Sequence, residues 1–526
     1  MRNYLFAVMA IFLCTSAKKK VEQYKKVTRL GVTYAVKGNL KKLKEAFEKR
    51  LQADANDLES RFMLVIRESQ LGNLVAAMDL LKENVKRGMP LERFVAGPRN
   101  LLKKLHDSQE FKELIKAEGI HLLHGPIVGS VTENRARIWL RSAKESVIVV
   151  EASLSEDFTE IAALGQGNTK ADDDYTATIE LNGLQAGQKY FYRMKIDGRE
   201  ANGAFEQSFR SFPKKNKNFS IIFGGGAGYN PQYEHMWDNI VKHQPTALLQ
   251  LGDNVYHDAP GIEETQRYCY YRRYSRPEFR RAMAQTPMFA LYDDHDFADN
   301  DCWGGTDKNL PAWKRPSLKV FTENFANPSY GGGVENPGVW YSFTIGDVEF
   351  FMLDCRYYRE DPKTKKAGKT MLGSYQKKWL KDKLKNSSAK FKVICPTVPI
   401  APGAKPGPQG RDTWDGYPEE RQEIFDFLKD NKISGAFVVS ADRHRSDAWK
   451  IERPGTYPIY EFMSSRFTNV HTHPVMPGSL FGYSEKCSFG KLNFDMQAAA
   501  PSVSYEIYSI DNEKIHSMTL KLSELK

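Results

Sequence analysis

Long apolar runs are missing from this 526-residue sequence: none reaches the roughly 18 residues that a membrane-spanning helix requires. Cysteine is scarce. The six present have no regular spacing and no CxxC pair, which excludes zinc ribbons and disulfide-scaffold miniproteins. Neither sign of charge is lacking, with Lys+Arg 76 against Asp+Glu 65 and a formal charge of +11. On a chain this long that excess is modest, and it suits an anionic substrate or surface as well as a nucleic acid. With 41% hydrophobic and 27% charged residues, a wholly disordered chain is excluded. The length allows about two to four domains with separate cores.

The first twenty residues have the form of an export signal. Arg2 precedes an apolar stretch from Tyr4 to Leu13, and Cys14-Thr15-Ser16-Ala17 leads into Lys18–Lys20. A charged start, a short apolar segment and small residues describe a secretory leader over 1–17, cut after Ala17. A lipoprotein signal is the second reading. There Cys14 becomes the lipidated first residue, although Leu13 stands where a small residue is wanted. An uncleaved segment is the third. The expected location is outside the cytoplasm: periplasmic, secreted or anchored to an outer membrane. Without Cys14 five cysteines remain, an odd number, so at least one has no intrachain partner. Cys355 and Cys395 end apolar runs and read as small buried hydrophobes.

Residues 25–118 are rich in Leu, Ala, Glu and Lys, and Gly38-Asn39-Leu40 returns as Gly72-Asn73-Leu74. Each copy precedes an amphipathic helix, over Lys41–Leu51 and Val75–Lys86, and a ragged third unit lies near Leu101–Leu114. The period of 34 residues resembles tetratricopeptide repeats. Two roles stand: a groove for a protein partner, or a helical cap on the rest of the chain. From 121 to 213 short runs separated by polar turns predict a fibronectin-like β-sandwich. They are Val128–Val131, Ala136–Leu140, Val147–Glu151, Tyr175–Leu181 and Tyr190–Ile196. From 218 to 526 continuous apolar runs alternate with helical segments, which predicts a layered α/β domain with functional loops at strand ends. Those runs include Phe219–Gly224, Ala247–Gly252, Pro287–Tyr292, Val348–Leu353, Phe391–Pro396, Gly435–Ser440 and Pro458–Phe462.

Four of these strand ends carry chemistry. Gly252-Asp253-Asn254-Val255-Tyr256 places a carboxylate, an amide and a phenol behind one strand. Asp293-Asp294-His295-Asp296 follows another and continues to Asp299-Asn300-Asp301. Asp354-Cys355-Arg356 ends a third, and Asp442-Arg443-His444-Arg445 a fourth. Carboxylates and imidazoles suit Ca²⁺, Mn²⁺, Fe or Zn²⁺, and a phenolate such as that of Tyr256 suits ferric iron. So many acids at one sheet edge would repel one another without a cation. Taken singly, each cluster has a plainer role: a turn, a helix N-terminus with acids on its dipole, a surface ion-pair group. Taken together, each behind a buried strand, they predict a metal site.

From about His121 onward the chain resembles the PhoD-like (alkaline phosphatase D) branch of the calcineurin-like metallophosphoesterases. Further residues that carry the resemblance are Leu372-Gly373, Gln376, Trp379-Leu380, Ser440-Ala441 and Phe462-Met463-Ser464-Ser465. The resemblance implies a metallophosphoesterase α/β sandwich after a β-sandwich domain, with the helical segment as an addition. It implies hydrolysis of phosphate esters at two metal ions, Fe with Ca, or Mn or Zn. Asp253, Tyr256, Asn300, Asp442 and His444 take the positions of metal ligands. Asp294 and His295 take those of residues that touch metal or phosphate, and Arg443 or Arg445 would stabilise phosphoryl charge.

One departure stands out. The family's first strand ends in a cysteine, and Gly226 of Gly224-Gly-Gly-Ala-Gly-Tyr229 occupies that place. A backbone nest for an anion is one expectation for this glycine run. A weakened phosphatase-like domain acting as a binding scaffold is the alternative for the whole chain. His235 and Asp238 lie too far on to substitute. The basic runs Lys18–Lys20, Lys214–Lys217 and Lys363–Lys366 read as solvated surface, with no specific nucleic acid expected. Tyr268–Tyr274 reads as a helix beside the site, and His471 and His473 as residues that line the pocket. Trp414–Tyr417 would shape its mouth.

Overall fold

A computed structural model describes residues 29–526 apart from 202 and 204. The leader 1–17, and Cys14 within it, therefore lie outside the described residues. Among the described residues no helix is long and apolar enough to cross a membrane.

The repeated Gly-Asn-Leu triplets are helix boundaries. Helices run over Leu40–Ala53, Leu58–Leu71 and Leu74–Lys86, then over Arg99–Asp107 and Gln109–Glu118. Gly72, at φ +82°, closes the helix Leu58–Leu71, a left-handed cap that glycine adopts without a Cβ penalty. Asn39 and Asn73 stand at the N-caps of the helices that follow Gly38 and Gly72. These helices bury Phe47, Phe62, Met63, Ile66, Leu81 and Leu102 among themselves. They sit on the two-sheet half, residues 218–526, through the helix Glu263–Tyr274. Arg93 pairs with Glu59 at 3.0 Å, its guanidinium lies against the rings of Phe62 and Tyr268, and the Tyr268 hydroxyl donates to Glu59. Tyr268–Tyr274 thus packs as a buried helix.

Two sheets face each other beyond residue 218. One contains the parallel strands Phe219–Gly224, Ala247–Leu251 and Met288–Leu291, flanked by the antiparallel C-terminal strands Ser488–Asp495, Ser502–Ser509 and Lys514–Lys521. The other contains the parallel run Val348–Met352, Phe391–Cys395, Ala436–Ser440 and Ile459–Met463. Aromatic rings fill the space between them. Phe289 stacks on Phe343 at 3.8 Å, Phe462 stacks on Tyr505 at 4.6 Å, and Phe494 meets Phe350, Phe391 and Phe437. Helices such as His235–Lys242, Gly373–Asn386 and Pro418–Asp430 connect successive strands. This is a layered α/β fold, and its loops gather at the C-terminal ends of both parallel runs, where such folds bind ligands.

The strands of 121–213 are distributed differently from the expectation. Leu122–Gly129, Arg135–Ser142 and Thr176–Asn182 continue the first of the two sheets, joined to Met288–Leu291 through Gly129 and Met288. Ser146–Ser153, Ala163–Thr169 and Lys189–Ile196 form the separate sheet that faces them. The first strand begins six residues before Val128, and Ala163–Thr169 carries Gly165 and Gly167, whose low strand propensity hid it. All five described cysteines are free and buried, Cys355 and Cys395 among them.

Candidate metal centre

Two turns with three residues in unusual backbone conformation build the site. Asp253, Asp442 and His444 have φ of +54°, +65° and +51°, in the left-handed region that side-chain-bearing residues rarely occupy. Strain of this kind persists where the surrounding structure holds it, here to aim side chains across a strand end. Gly252 is needed for the same approach, because at φ +97° a Cβ would lie 2.4 Å from that of Asp293.

Six of the expected residues come together. Asp253, Asp294 and His295 place one ligand atom each within 4.8 Å of one another, and so do Asp293, Asp294 and Asp442. Asp294 belongs to both groups and joins them. The Tyr256 hydroxyl donates to Asp253 Oδ2 at 2.9 Å, lies 3.3 Å from His444 Nε2 and accepts from Asn469 Nδ2 at 2.6 Å. His444 Nε2 is 3.7 Å from Asp253 Oδ2. The donor set is carboxylate oxygen, phenol and imidazole, which fits hard and borderline cations. Two atoms show the fit directly: Asp253 Oδ1 and Asp442 Oδ2 are buried and have no hydrogen-bond partner. Buried acceptors normally find one.

Electrostatics points the same way. Burial, with Asp293, Asp296 and Asp442 nearby, pushes the Asp253 carboxyl up to about 7 against the pull of His295. Burial also raises Asp293 and Asp294 to about 7, although Arg356 opposes it in both. Buried acids of this density hold protons unless a cation takes their place. His295 goes the other way. Burial disfavours its cation, but Asp294, Asp253 and Asp258 outweigh it and hold the imidazole at about 10. Its Nδ1 pairs with Asp258, whose other oxygen pairs with Arg29.

Two expected residues do not join the group. Asn300 is exposed on the turn after the four-residue helix Asp294–Phe297, and it is the next residue, Asp301, whose N–H reaches Asp294 Oδ2 at 2.7 Å. Arg445 is fully buried, donating Nε to Asp447 at 2.7 Å and Nη2 to the Ala404 carbonyl at 2.8 Å, and it serves that ion pair. Arg443 stays at the centre, with Nη1 at 3.5 Å from Asp442 Oδ2.

Gly226 is at φ +71°, and the glycine run does not form an anion nest. The N–H groups of Gly226 and Ala227 donate to the carbonyls of Gly252 and Asp253. His235 and Asp238 are elsewhere, Asp238 paired with Arg281 at 2.8 Å. The tertiary structure also adds residues without a motif. Asp412 receives Arg356 at 2.8 Å and Arg359 at 3.0 Å, and Lys405 bridges Asp412 and Asp301. Arg356 in turn holds Asp293 through Nε and Nη2, at 2.5 and 2.9 Å, with Thr397 donating to the same carboxylate. Asp258, two residues past Tyr256, was within reach of a search of the first cluster. Trp414 and Tyr417 are buried, so that insertion contributes Asp412 to the site's support and not an exposed mouth.

Residues 221–509 match the model of the PhoD-like phosphatase family, and residues 111–213 match the PhoD-like phosphatase N-terminal domain. An alkaline phosphatase D of Bacillus subtilis (strain 168) is 24% identical over 346 residues, covering 56% of this chain and 58% of that protein. The chain thus spans a little over half the length of this relative. Among solved structures, one of PhoD superposes with a TM-score of 0.62 at 17% identity, over 74% of this chain and 91% of that one. A purple acid phosphatase, PPD1 from yellow lupin seeds, gives 0.54 at 12% identity over 76% and 75% of the two chains. These two likenesses show the fold. Since the first family model spans more than half of the sequence, this chain belongs to the PhoD-like phosphatase family.

Proposed function

We propose that this chain is an exported hydrolase of phosphate mono- and diesters that works with two metal ions. The observation that carries the reading is the pair of ligand groups sharing Asp294, with buried oxygens on Asp253 and Asp442 that accept no hydrogen bond. Asp253, Tyr256, Asp294, Asp442 and His444 would hold the ions, in combinations of iron, calcium, manganese or zinc. Bound there, such ions supply charge neutralisation for the phosphate and a more acidic water. The remaining work falls to the chain. His295, held by Asp258, has a proton to give to the leaving oxygen. Arg443 adds positive charge beside Asp442 for the phosphoryl oxygens. Arg356 fixes Asp293, which caps the helix bearing Asp294 and His295, so the positions of both depend on that ion pair.

The test is Asp253→Asn, assayed with p-nitrophenyl phosphate and its bis ester. Turnover should fall by about a hundredfold or more, roughly 2.7 kcal/mol of transition-state stabilisation. Near-normal turnover in the folded variant would refute the reading. Gly226 supports a second reading, a binding scaffold on a weakened phosphatase, and this reading requires a purified chain with little tightly held metal.

A further inference from the structure

An arginine of the helical layer reaches the metal centre. Residues 29–36 form a helix that lies outside both stretches matching the family models, 111–213 and 221–509. One side of it packs on the other helices of its layer. Val32 and Ala35 are buried, and a Cβ at Gly31 would lie 2.6 Å from the Phe47 ring and 2.7 Å from Met63 Sδ. Arg29 and Thr33, four residues apart, share another face, and both touch the two-sheet half. Thr33 Oγ1 is 3.4 Å from Thr265 Oγ1, and Arg29 Nη1 donates to the Tyr256 carbonyl at 3.0 Å.

The same guanidinium nitrogen pairs with Asp258 Oδ2, and Asp258 Oδ1 pairs with His295 Nδ1. Arg29, Asp258 and His295 thus form a line from the helical layer to the imidazole that borders Asp253 and Asp294. Little of it meets solvent: the three side chains are 14%, 18% and 15% exposed, so their charges are weakly screened. Asp258 stands at φ +46°, a conformation that outside contacts must hold, and its carboxylate is pinned on both sides. With Nδ1 taken by Asp258, Nε2 is the nitrogen left to serve a leaving oxygen.

We propose that Arg29 is a positioning residue for phosphate-ester hydrolysis: it holds Asp258 against His295 Nδ1 and so keeps Nε2 in place for the ester's leaving oxygen. The proposal rests on the reading of His295 as the proton donor. It gives the helical layer a part in the reaction, because the layer supplies a charge that the family-matching stretches do not. Removing Arg29 leaves Asp258 with His295 alone, on a residue in left-handed backbone, and the imidazole loses its fixed anchor. A proton donor matters more the less readily the leaving oxygen departs without one. The loss therefore falls on esters of weakly acidic alcohols and phenols and spares those of acidic phenols.

Arg29→Ala is assayed in the full chain as purified, with p-nitrophenyl phosphate, whose leaving group departs readily, and with phenyl phosphate, whose leaving group needs a proton. In R29A, kcat should fall about tenfold or more on phenyl phosphate and less than about twofold on p-nitrophenyl phosphate, with KM for both little changed. Guanidinium ion added to R29A, and separately Arg29→Lys, should restore phenyl phosphate turnover. Asp258→Asn should give the same selective loss, and R29A/D258N no more than either variant alone. A readout apart from turnover is nuclear magnetic resonance of the metal-stripped chain carrying isotope-labelled histidine. The His295 Nδ1 proton, assigned by its absence in H295N, should lie far downfield in the parent and broaden or move upfield in R29A. Circular dichroism melting checks that each variant folds. Equal losses on both esters or none, additive effects of R29A and D258N, or an unmoved proton resonance would each overturn the proposal and leave Arg29 a fastener of the helical layer. A parent inactive on both esters sinks the phosphatase reading and this proposal with it, whereas an active parent with any of those results sinks this proposal alone.

Discussion

Single residues here are governed by what burial does to charge. Arg356 lies between Asp293 and Asp412; without it Asp412 keeps Arg359 and Lys405, whereas Asp293 loses its cation in the interior. His106, far from the metal centre, isolates the same effect on one group. Its Nε2 is 2.7 Å from the Phe94 carbonyl and its ring stacks on Phe111. Burial lowers its pKa from 6.5 to about 4, helped by Arg99 and opposed by the Phe94 hydrogen bond. The unfolded chain therefore binds a proton near pH 6.5 that the folded chain refuses until about pH 4. The stability His106 contributes is complete above pH 6.5 and is lost as the pH falls from there to about 4. At about 1.4 kcal/mol per unit, the full loss is on the order of 3 kcal/mol. H106Q should flatten that part of the profile, measured as the difference in denaturant midpoint between parent and variant at pH 7 and pH 4.5. Equal midpoint shifts in both would reject the assignment.

Between elements, the decisive contact is the one that fastens the helical layer to the two-sheet half. Glu59 sits on the helix Leu58–Leu71, Arg93 on the short helix Glu92–Ala96 and Tyr268 on Glu263–Tyr274. Glu59 and Arg93 are almost fully buried, and each needs the other. Glu59→Ala would leave the Arg93 charge without its partner, at a cost of about 3–5 kcal/mol. Hydrogen exchange should speed up over 40–118 while the strands Phe391–Cys395 and Ala436–Ser440 stay protected. Uniform exchange across both regions, or none, would show that this pair does not do the fastening. The boundaries of these helices were legible because glycine and asparagine at helix ends act locally. The docking of the layer was not, since nothing near Glu59 in sequence signals an arginine 34 residues on or a tyrosine 209 residues on.

Across the whole molecule, a prediction concerns where the chain works. The proposed export rests on the sequence pattern of Met1–Ala17, and mass analysis of the chain recovered from cells tests it. A start at Lys18 marks simple cleavage, a start at a lipid-bearing Cys14 marks the anchored form, and an intact Met1 overturns export. Inside the fold, what the sequence determined on its own was whatever depends on neighbours along the chain. Apolar runs identified most of the buried strands, and the polar clusters behind them supplied Asp253, Tyr256, Asp294, His295, Asp442 and His444. The tertiary structure alone decided what depends on neighbours in space. It left Asn300 exposed on the turn before Asp301, and it paired Arg445 with Asp447. It also brought Asp412 to Arg356 and placed His471 and His473 against His444. Strand periodicity records which face is buried, but the partner of each strand and the direction of each loop are set by closure of two sheets on one aromatic core.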